Sequence, residues 1–580
     1  TSRGLGDVYK RQSLLIGTAL LSSCLDVDIV DRVEKEDGFF KTEDHALAAI
    51  NGVYSTLYAF AYHKTNWAII LPTYEDAMFS TGNAVPATVS NNTHSAGSAP
   101  VVNFWGELYN GIKNANEVIA RVPSISFKSE NDKNRIIAEA YFLRALYHYD
   151  LMRLYGGVNG IPIVIEPVTG IENAYVPQSP ASKVYEQIIS DFEYAAGLND
   201  DDTPRLPKRL DPAYTSGRVT NGAAHAFLAE VYLTLGRWED AAREAQEVIS
   251  SEQYTFVNDY QNLWDIEQES LAQTEHIFSV PFFRDKDALA DQSLGSNIAH
   301  LFNPAGVQVG GKLVSGNPYG KGAGAHRVQK WFIKYFQDDQ GNLGYSDPSV
   351  DASIDESKLI SKDYRIEVTF WRRFQQKNNN TGVLGNIVTV YPAAGGNSQE
   401  NWGYIRKFID PQGINNRTNE NDMPRLRLSD MYLIRAEALN ELGKYTEACQ
   451  AIDMVRERAR KANGTERAYP KYIGSDRPDN IGRTLTKQEF RWLVFMERGL
   501  EFAGEQKRWF DLIRMKYDEN TQMYDYIKDT FIPSRPAADV QKQGVMAARK
   551  KYFPIPFAEV SRNDGVQQNL SLIHISEPTR

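Results

Sequence analysis

The sequence has 580 residues, of which 42% are hydrophobic and 11% aromatic, and its formal net charge is −10. This length allows a large core or two or three domains. The acidic balance and the lack of any basic run argue against a nucleic-acid partner.

The two ends of the chain do not read as parts of the fold. Residues 1–12 and 571–580 resemble translated sequencing-library adaptor, and we expect them to be foreign to the protein. Residues 13–23 form an apolar run that is too short to span a bilayer but fits the remnant of a secretory signal peptide. The stretch from Leu21 to Cys24 resembles a bacterial lipobox, which predicts a lipid on Cys24 and a tether over residues 24–41. The alternative is a small buried helix with a chance cysteine.

Helical spacing of apolar residues dominates the next region, residues 42–255. It predicts helices over residues 43–62, 104–122 and 132–155, and another from residue 182. Residues 67–79 are read as the start of a long polar loop between the first two helices. We assign Trp105 and Trp238 to the core, together with three aromatic residues further along the chain, Trp264, Tyr445 and Trp509.

Two blocks of the sequence repeat each other. Residues 229–242 and 436–449 share Ala-Glu, Leu-Gly, a basic residue, an aromatic residue and Ala at the same offsets. This is the pattern of a tetratricopeptide helix pair, in which Gly makes the turn and Ala lies at the helix contact. Because such a pair cannot bury its apolar face alone, the repeats predict a mainly α, helical-repeat scaffold. Cys449 falls at a helix contact and is expected to be a small buried side chain.

The region between the repeats has a different composition. Residues 256–422 contain a predicted strand at 275–283, a Gly-, Asn- and Pro-rich stretch at 284–330, and short β-branched runs at 363–373, 387–391 and 402–408. A loop region of this length is usually functional or disordered. We therefore expect a loop-rich insertion with small β-hairpins, followed by a second helical region over residues 423–570.

Catalytic and metal motifs are weak in this sequence. Residues 306–312 nearly match a phosphate-binding loop, but Leu313 replaces the Ser or Thr that would hold magnesium. The nine histidines show no zinc-binding spacing. We predict no cofactor and no metal.

Three carboxylates attract attention because they share one helix face. Glu497, Glu501 and Glu505 are spaced by four residues, with Arg498 and Arg508 nearby. A glycosidase needs two carboxylates across a cleft rather than along one helix. The spacing therefore favours a structural ion-pair ladder.

Several segments together resemble the RagB/SusD family of nutrient-binding outer-membrane lipoproteins. The resemblance rests on Cys24 and on residues 138–157 (AEAYFLRALYHYDLMRLYGG), 426–441, 496–512 (MERGLEFAGEQKRWFDL) and 552–569. The sequence departs from the family pattern at Gln506, where Gly is usual.

The resemblance implies a SusD-like scaffold of tetratricopeptide-like units with irregular loops on one side. It also implies a non-catalytic lipoprotein on the outer face of the outer membrane, which captures a glycan or a peptide for a SusC-like TonB-dependent transporter. Two alternatives stay open: a surface glycan hydrolase, and a repeat protein that only binds other proteins.

A sugar site needs flat aromatic side chains and a few polar groups, which loops supply more readily than scaffold helices. Two aromatic, polar loop stretches, 67–79 and 283–319, meet this description. The predicted ligand-binding residues are Trp67, Tyr74, Asp76, Arg284, His300, Asn303 and Tyr319. For each of them, simple packing within a loop is the competing interpretation.

Overall fold

The computed structural model describes the greater part of the chain, with most gaps between residues 284 and 484. The described residues are 38–80, 85–198, 205–284, 294–304, 307–309, 312–313, 324–333, 345–346, 363–377, 384–389, 402–410, 419–462, 465–466, 484–541 and 551–569. Cys24 and Tyr319 lie outside these ranges, as do the signal and adaptor segments.

Helices make up most of the described structure. In chain order they are α1 Glu43–Ser55, α2 Asn66–Tyr74, α3 Ala87–Ser90, α4 Ala99–Arg121, α5 Glu130–Leu151, α6 Ala181–Ala196, α7 Asn221–Thr234, α8 Trp238–Ser250, α9 Glu269–Glu275, α10 Ile298–Phe302, α11 Lys330–Ile333, α12 Arg365–Thr369, α13 Leu428–Glu441, α14 Tyr445–Arg460, α15 Lys487–Glu501, α16 Arg508–Arg514, α17 Met523–Tyr526 and α18 Phe557–Arg562.

The strands are short and mostly lie in the second half of the chain. They are β1 Met78–Ser80, β2 Ile161–Pro162, β3 Gln178–Ser179, β4 His276–Val280, β5 Val307–Val309, β6 Lys312–Leu313, β7 His326–Val328, β8 Tyr345–Ser346, β9 Phe370–Lys377, β10 Leu384–Thr389, β11 Tyr404–Ile405, β12 Met423–Arg427, β13 Lys461–Ala462 and β14 Thr465–Glu466. One sheet has the order β10-β9-β5-β6, with β8 and β11 also paired to β9. The pairs β1–β7, β4–β12, β2–β3 and β13–β14 are antiparallel.

The long helices stack in one continuous series. Neighbours in the series are α1, α4, α5, α6, α7, α8, α13 and α14, with α15 also against α13. The two repeat pairs, α7–α8 and α13–α14, are therefore in direct contact through α8 and α13, although residues 251–427 separate them in the chain. This arrangement confirms the predicted mainly α, tetratricopeptide-like scaffold.

Both repeat turns close in the same way. Gly443 has φ +75°, its N–H donates to the Asn440 carbonyl (3.0 Å), and the next N–H, of Lys444, donates to the Leu439 carbonyl (2.8 Å). Gly236, at φ +70°, makes the same turn between α7 and α8. Only glycine adopts this left-handed conformation at little cost, and the two hydrogen bonds satisfy helix-end carbonyl groups. The repeated Leu-Gly thus marks the turn, as the sequence predicts.

The segment after α1 differs from the sequence-based prediction. Residues 67–79 are read above as the start of a loop, but α2 spans Asn66–Tyr74 and every residue of it is buried. A short helix that is apolar on all sides belongs in the interior rather than at the surface. The second predicted helical region, residues 423–570, also begins differently, since Met423–Arg427 is strand β12, paired with β4, before α13 starts.

The C-terminal segment returns to the N-terminal helices. The Phe553 N–H donates to the Leu154 carbonyl (2.7 Å), and the Asn569 side-chain amide donates to the Tyr155 carbonyl (2.6 Å). These bonds hold the segment against the end of α5. Within the described ranges, no helix combines the length and the apolarity needed to cross a bilayer.

Candidate functional site

A cavity of about 600 Å³ opens beside α2, between the start of α4 and α10. This volume is in the range of ligand-binding clefts. The cavity is lined by Phe60, Ala61, Thr65, Asn66, Ile69, Pro86, Thr88, Ser98, Ala99, Pro100, Asn103, Asn297, His300 and Leu301. Two neighbouring segments, residues 60–69 and 86–103, therefore meet residues 297–301, which lie far along the chain.

Phe60 is the aromatic residue of this lining, and its side chain is 50% exposed. It begins the single wide turn Phe60–Lys64, which joins α1 to α2. Tyr62 in this turn has φ −121° and ψ −118°, outside the helical region. The break in the helix turns Phe60 outward while Tyr62 and His63 stay buried.

A buried ion pair between Asp150 and Arg425 holds this turn in place. The Tyr62 hydroxyl donates to Asp150, and Arg425 donates to both Asp150 oxygens, at 3.0 and 2.9 Å. Burial alone would raise the pKa of Asp150, but the guanidinium groups of Arg425 and Arg153 bring it to about 2. Asp150 is therefore ionised and paired. The base of the turn is a rigid, charge-balanced cluster.

His63 completes this cluster as a neutral ring. Burial lowers its pKa well below the ordinary value, and the nearby Arg425 guanidinium lowers it further. Its Nε2 accepts from Arg425 at 2.7 Å, and its Nδ1 donates to the Leu57 carbonyl at 3.2 Å. Both ring nitrogens are thus occupied, and His63 has no free nitrogen for acid–base chemistry.

Amides and hydroxyls form the polar part of the cavity wall. Asn297 is 7% exposed; its backbone N–H donates to the Lys64 carbonyl (3.3 Å) and its Nδ2 to Thr65 Oγ1 (3.1 Å). Its Oδ1 receives no hydrogen bond from the part of the chain that the structure describes. A buried acceptor left in this state costs about 1–3 kcal/mol, which a donor on a bound molecule or a water would recover. Asn103 and Thr88 also line the cavity and are exposed.

His300 lies in this cavity, on α10. Among the predicted ligand-binding residues that the structure describes, it is the one that lines the cavity. Its neighbour in the prediction, Asn303, is fully buried instead. The Asn303 amide donates to the Phe408 carbonyl (2.5 Å) and accepts from Trp371 Nε1 (2.9 Å), so it holds loops together.

The structure contradicts the expected exposure of Trp67, Tyr74 and Asp76. Trp67 is 3% exposed and stacks on Phe104, with ring centroids 6.0 Å apart. The buried Tyr74 hydroxyl bonds to the ring of His94. Asp76 accepts two hydrogen bonds from Arg508, at 2.5 and 2.8 Å. The expectation of an open surface was wrong because these residues belong to α2 and its buried C-terminal end.

Arg284 has a similar structural role. Its side chain is 2% exposed, and its guanidinium bonds to Asp410 (2.7 Å) and Glu420 (2.9 Å). The guanidinium group of Arg284 is therefore already paired with two carboxylates of the protein itself. Its burial argues against ligand contact, as does that of Trp67, Tyr74, Asp76 and Asn303.

Sequence reasoning missed Phe60, Thr88, Asn103 and Asn297. Phe60 continues the apolar spacing of α1, so the pattern assigned it to the helix contact. The break at Tyr62 has no Gly or Pro to announce it. The three polar residues become a group only through the tertiary fold.

Glu497, Glu501 and Glu505 are structural, as predicted. Each is buried and paired, Glu497 with Arg456, Glu501 with Arg427, and Glu505 with Lys407. The expected partners were wrong, and Glu505 lies beyond the end of α15, which closes at Glu501. Arg498 pairs with Asp511, and Arg508 pairs with Asp76. The expected positions of Trp105, Trp264, Trp509 and Cys449 in the core are confirmed, while Trp238 and Tyr445 are partly buried.

The described residues contain no group of three or more His, Cys, Asp or Glu side chains placed to hold a metal ion. Gln506, where the sequence departs from the family pattern, has φ +58°. This left-handed conformation explains why glycine suits the position.

Comparison with known proteins gives consistent matches. The model of the SusD family matches residues 274–571, and a second family model, described as starch-binding associating with outer membrane, matches residues 34–233. SusD-like protein P2 of Formosa agariphila is 27% identical over 548 residues, which cover 92% of this chain and 93% of that protein. A SusD-like protein of Bacteroides ovatus is 26% identical over 317 residues, covering 50% of this chain and 54% of that protein.

Solved structures match over nearly the whole length. A SusD homologue from Bacteroides thetaiotaomicron has a TM-score of 0.70 at 22% identity, with 93% of this chain and 98% of that chain covered. A laminarin-binding SusD-like protein has a TM-score of 0.64 at 22% identity, covering 91% of this chain and 99% of that one. At these identities the likeness establishes a shared fold.

Proposed function

Because the chain belongs to the SusD family, we propose that it is a non-catalytic glycan-binding protein of the cell surface. In this proposal it is anchored to the outer membrane through a lipid on Cys24 and delivers its ligand to a SusC-like TonB-dependent transporter. The observation that carries the proposal is the cavity of about 600 Å³ beside Phe60.

The chemistry of the cavity suits a sugar. A pyranose ring has an apolar C–H face, which packs on an aromatic ring, and hydroxyl groups at its edge, which need neutral hydrogen-bond partners. Phe60 supplies a half-exposed ring, and Asn103, Asn297 and His300 supply polar groups around it. Support also comes from the laminarin-binding SusD-like protein, which shares the fold.

The two alternatives from the sequence fare less well. The hydrolase hypothesis had Glu497, Glu501 and Glu505 as its most attractive carboxylates, and all three are buried in ion pairs. The adaptor hypothesis predicted a helical surface without a small-ligand pocket. The cavity beside α2 argues against it.

Binding to a glycan array, followed by calorimetry on the best oligosaccharide, tests the proposal. Phe60→Ala should weaken binding by about 1–3 kcal/mol, by analogy with base–aromatic stacking. The matched control is Tyr175→Ala, because Tyr175 is also 50% exposed but does not line the cavity. Equal binding by wild type and both variants would remove the cavity from the proposal, and hydrolysis of the oligosaccharide would contradict the non-catalytic role.

The anchor and the transporter need separate tests. With the native signal restored, Cys24→Ser should release the protein from the outer membrane, since stable anchoring depends on the acyl chains. Copurification with a SusC-like barrel from the native host tests the partner. A Cys24→Ser protein that stays in a salt-washed outer-membrane fraction would place the anchor elsewhere.

A further inference from the structure

No side chain among the described residues that line the cavity carries a permanent charge. Their polar groups are the hydroxyls of Thr65, Thr88 and Ser98, the amides of Asn66, Asn103 and Asn297, and the imidazole of His300. Among the described lining residues there is no Lys, Arg, Asp or Glu. A wall of this kind exchanges hydrogen bonds with hydroxyl groups but offers no permanent countercharge.

Two arginines near the cavity are already paired with carboxylates. Arg425 contacts His63, two residues from Ala61, but it is 6% exposed and both of its terminal nitrogens bond to Asp150. Arg153 is held by Asp150 and Glu230. Lys64 follows His63 in the chain but is not among the lining residues. None of these cations is placed in the cavity wall to meet an anion.

Resting on the function proposed above, we infer that this cavity selects uncharged sugar units and excludes units that carry sulfate or carboxylate at the bound positions. Sulfate and carboxylate groups are normally recognised by Arg or Lys, whose charged hydrogen bonds offset the loss of water. Without that offset, moving an anion out of water is strongly unfavourable. The face of the Phe60 ring carries partial negative charge, which also disfavours an anionic substituent above it.

Calorimetry with matched ligand pairs tests this inference. The probes are neutral hexasaccharides, among them laminarihexaose, each titrated beside its own sulfated derivative, together with oligogalacturonate. We expect at least one neutral hexasaccharide to bind, with an affinity that barely changes with salt, because no charge pair is formed. Its sulfated derivative should bind at least about tenfold more weakly, which corresponds to about 1.4 kcal/mol.

A sulfated sugar is also larger, so size must be separated from charge. Asn103 is exposed at the cavity wall, and Asn103→Lys places a cation there, while Asn103→Gln is the neutral control. If charge governs selection, Asn103→Lys recovers affinity for the sulfated ligand and Asn103→Gln does not. Equal failure of both variants would show that size alone excludes sulfate, and the inference would be wrong.

The outcomes separate this inference from the function on which it rests. Binding of a sulfated ligand or of oligogalacturonate as tightly as any neutral hexasaccharide would overturn the inference and leave glycan binding intact. Absence of binding to every neutral and anionic glycan would contradict the proposed function, and the inference would fall with it.

Discussion

Glu501 lies at the centre of a buried ion-pair network, and replacing it with Gln should destabilise the protein strongly. Its carboxylate is fully buried and contacts Arg427 (2.5 Å), Arg365 (2.8 Å) and Arg458. Burial alone would raise the pKa of Glu501, but the guanidinium groups of Arg458, Arg427 and Arg365 hold it well below the usual value. The carboxylate is therefore ionised, and its negative charge faces three arginines at once.

The expected loss follows from what the substitution leaves behind. Gln keeps the size of the side chain but removes the negative charge, so the three guanidinium groups lose part of their compensation without gaining water. Removing one partner of a buried pair costs about 3–5 kcal/mol. Since whole proteins are stable by about 5–15 kcal/mol, Glu501→Gln should remove about a fifth of the total or more.

Urea unfolding followed by tryptophan fluorescence measures this loss as a lower midpoint. The matched control is Glu519→Gln, because Glu519 is 70% exposed and also accepts from an arginine, Arg491, at 2.9 Å. An exposed pair of this kind contributes about 0–1 kcal/mol. If both variants unfold within about 1 kcal/mol of wild type, the network does not stabilise the fold as argued.

Three further predictions concern other parts of the fold. Trp67→Ala should lower the free energy of unfolding by about 3–5 kcal/mol, because it leaves a cavity in the core under the Arg425 guanidinium. A melting temperature unchanged from wild type would contradict the burial of Trp67. Gly443→Ala should lower the free energy of thermal unfolding by about 1–2 kcal/mol, because φ is +75° at this position. Gly52→Ala should instead raise it by about 0.5–1 kcal/mol, because Gly52 lies within α1 and an added Cβ meets no neighbour there. Equal effects of the two substitutions would contradict this reasoning. Burial, and then the nearby Glu269, raise the pKa of Asp422 to about 8, so the stability that its neutral form contributes is present at low pH and is lost as pH rises through 8. We therefore compare the free energy of unfolding of wild type and Asp422→Asn in a buffer with a chelator. Between about pH 6.5 and 8, wild type should lose stability relative to the variant by at most about 1.36 kcal/mol per pH unit. A difference that stays constant or changes sign would contradict the raised pKa of Asp422.

The scaffold was predictable from the sequence because it depends on local patterns. Helical spacing and the repeated Leu-Gly turn both act within a few residues, and the positive φ of Gly236 and Gly443 is a direct consequence of that turn. The structural role of Glu501 was also predictable, since its spacing placed it along one helix rather than across a cleft. Its partners were not, because Arg365 and Arg427 reach it from elements far away in the chain.

Most of the candidate site could not be predicted from the sequence, because it depends on contacts between residues that are distant in the chain. Trp67 and Tyr74 looked like loop aromatics next to polar residues, but an apolar run at 67–71 and contacts with distant helices bury them. Phe60 is exposed although it continues the apolar spacing of α1, since α1 ends at Ser55. Exposure of an aromatic residue is decided by tertiary contacts, so composition alone ranked these residues wrongly.

The contact between α8 and α13 has a consequence for how the chain is made. While a ribosome adds about 5–20 residues per second, residues 251–427 take roughly 10–40 s to emerge after α8 is complete. During that interval the face of α8 that will meet α13 has no partner, and such a surface invites association with other chains. We therefore expect a truncated chain that stops before Leu428 to leave this face of α8 exposed and to aggregate more readily than the full-length protein.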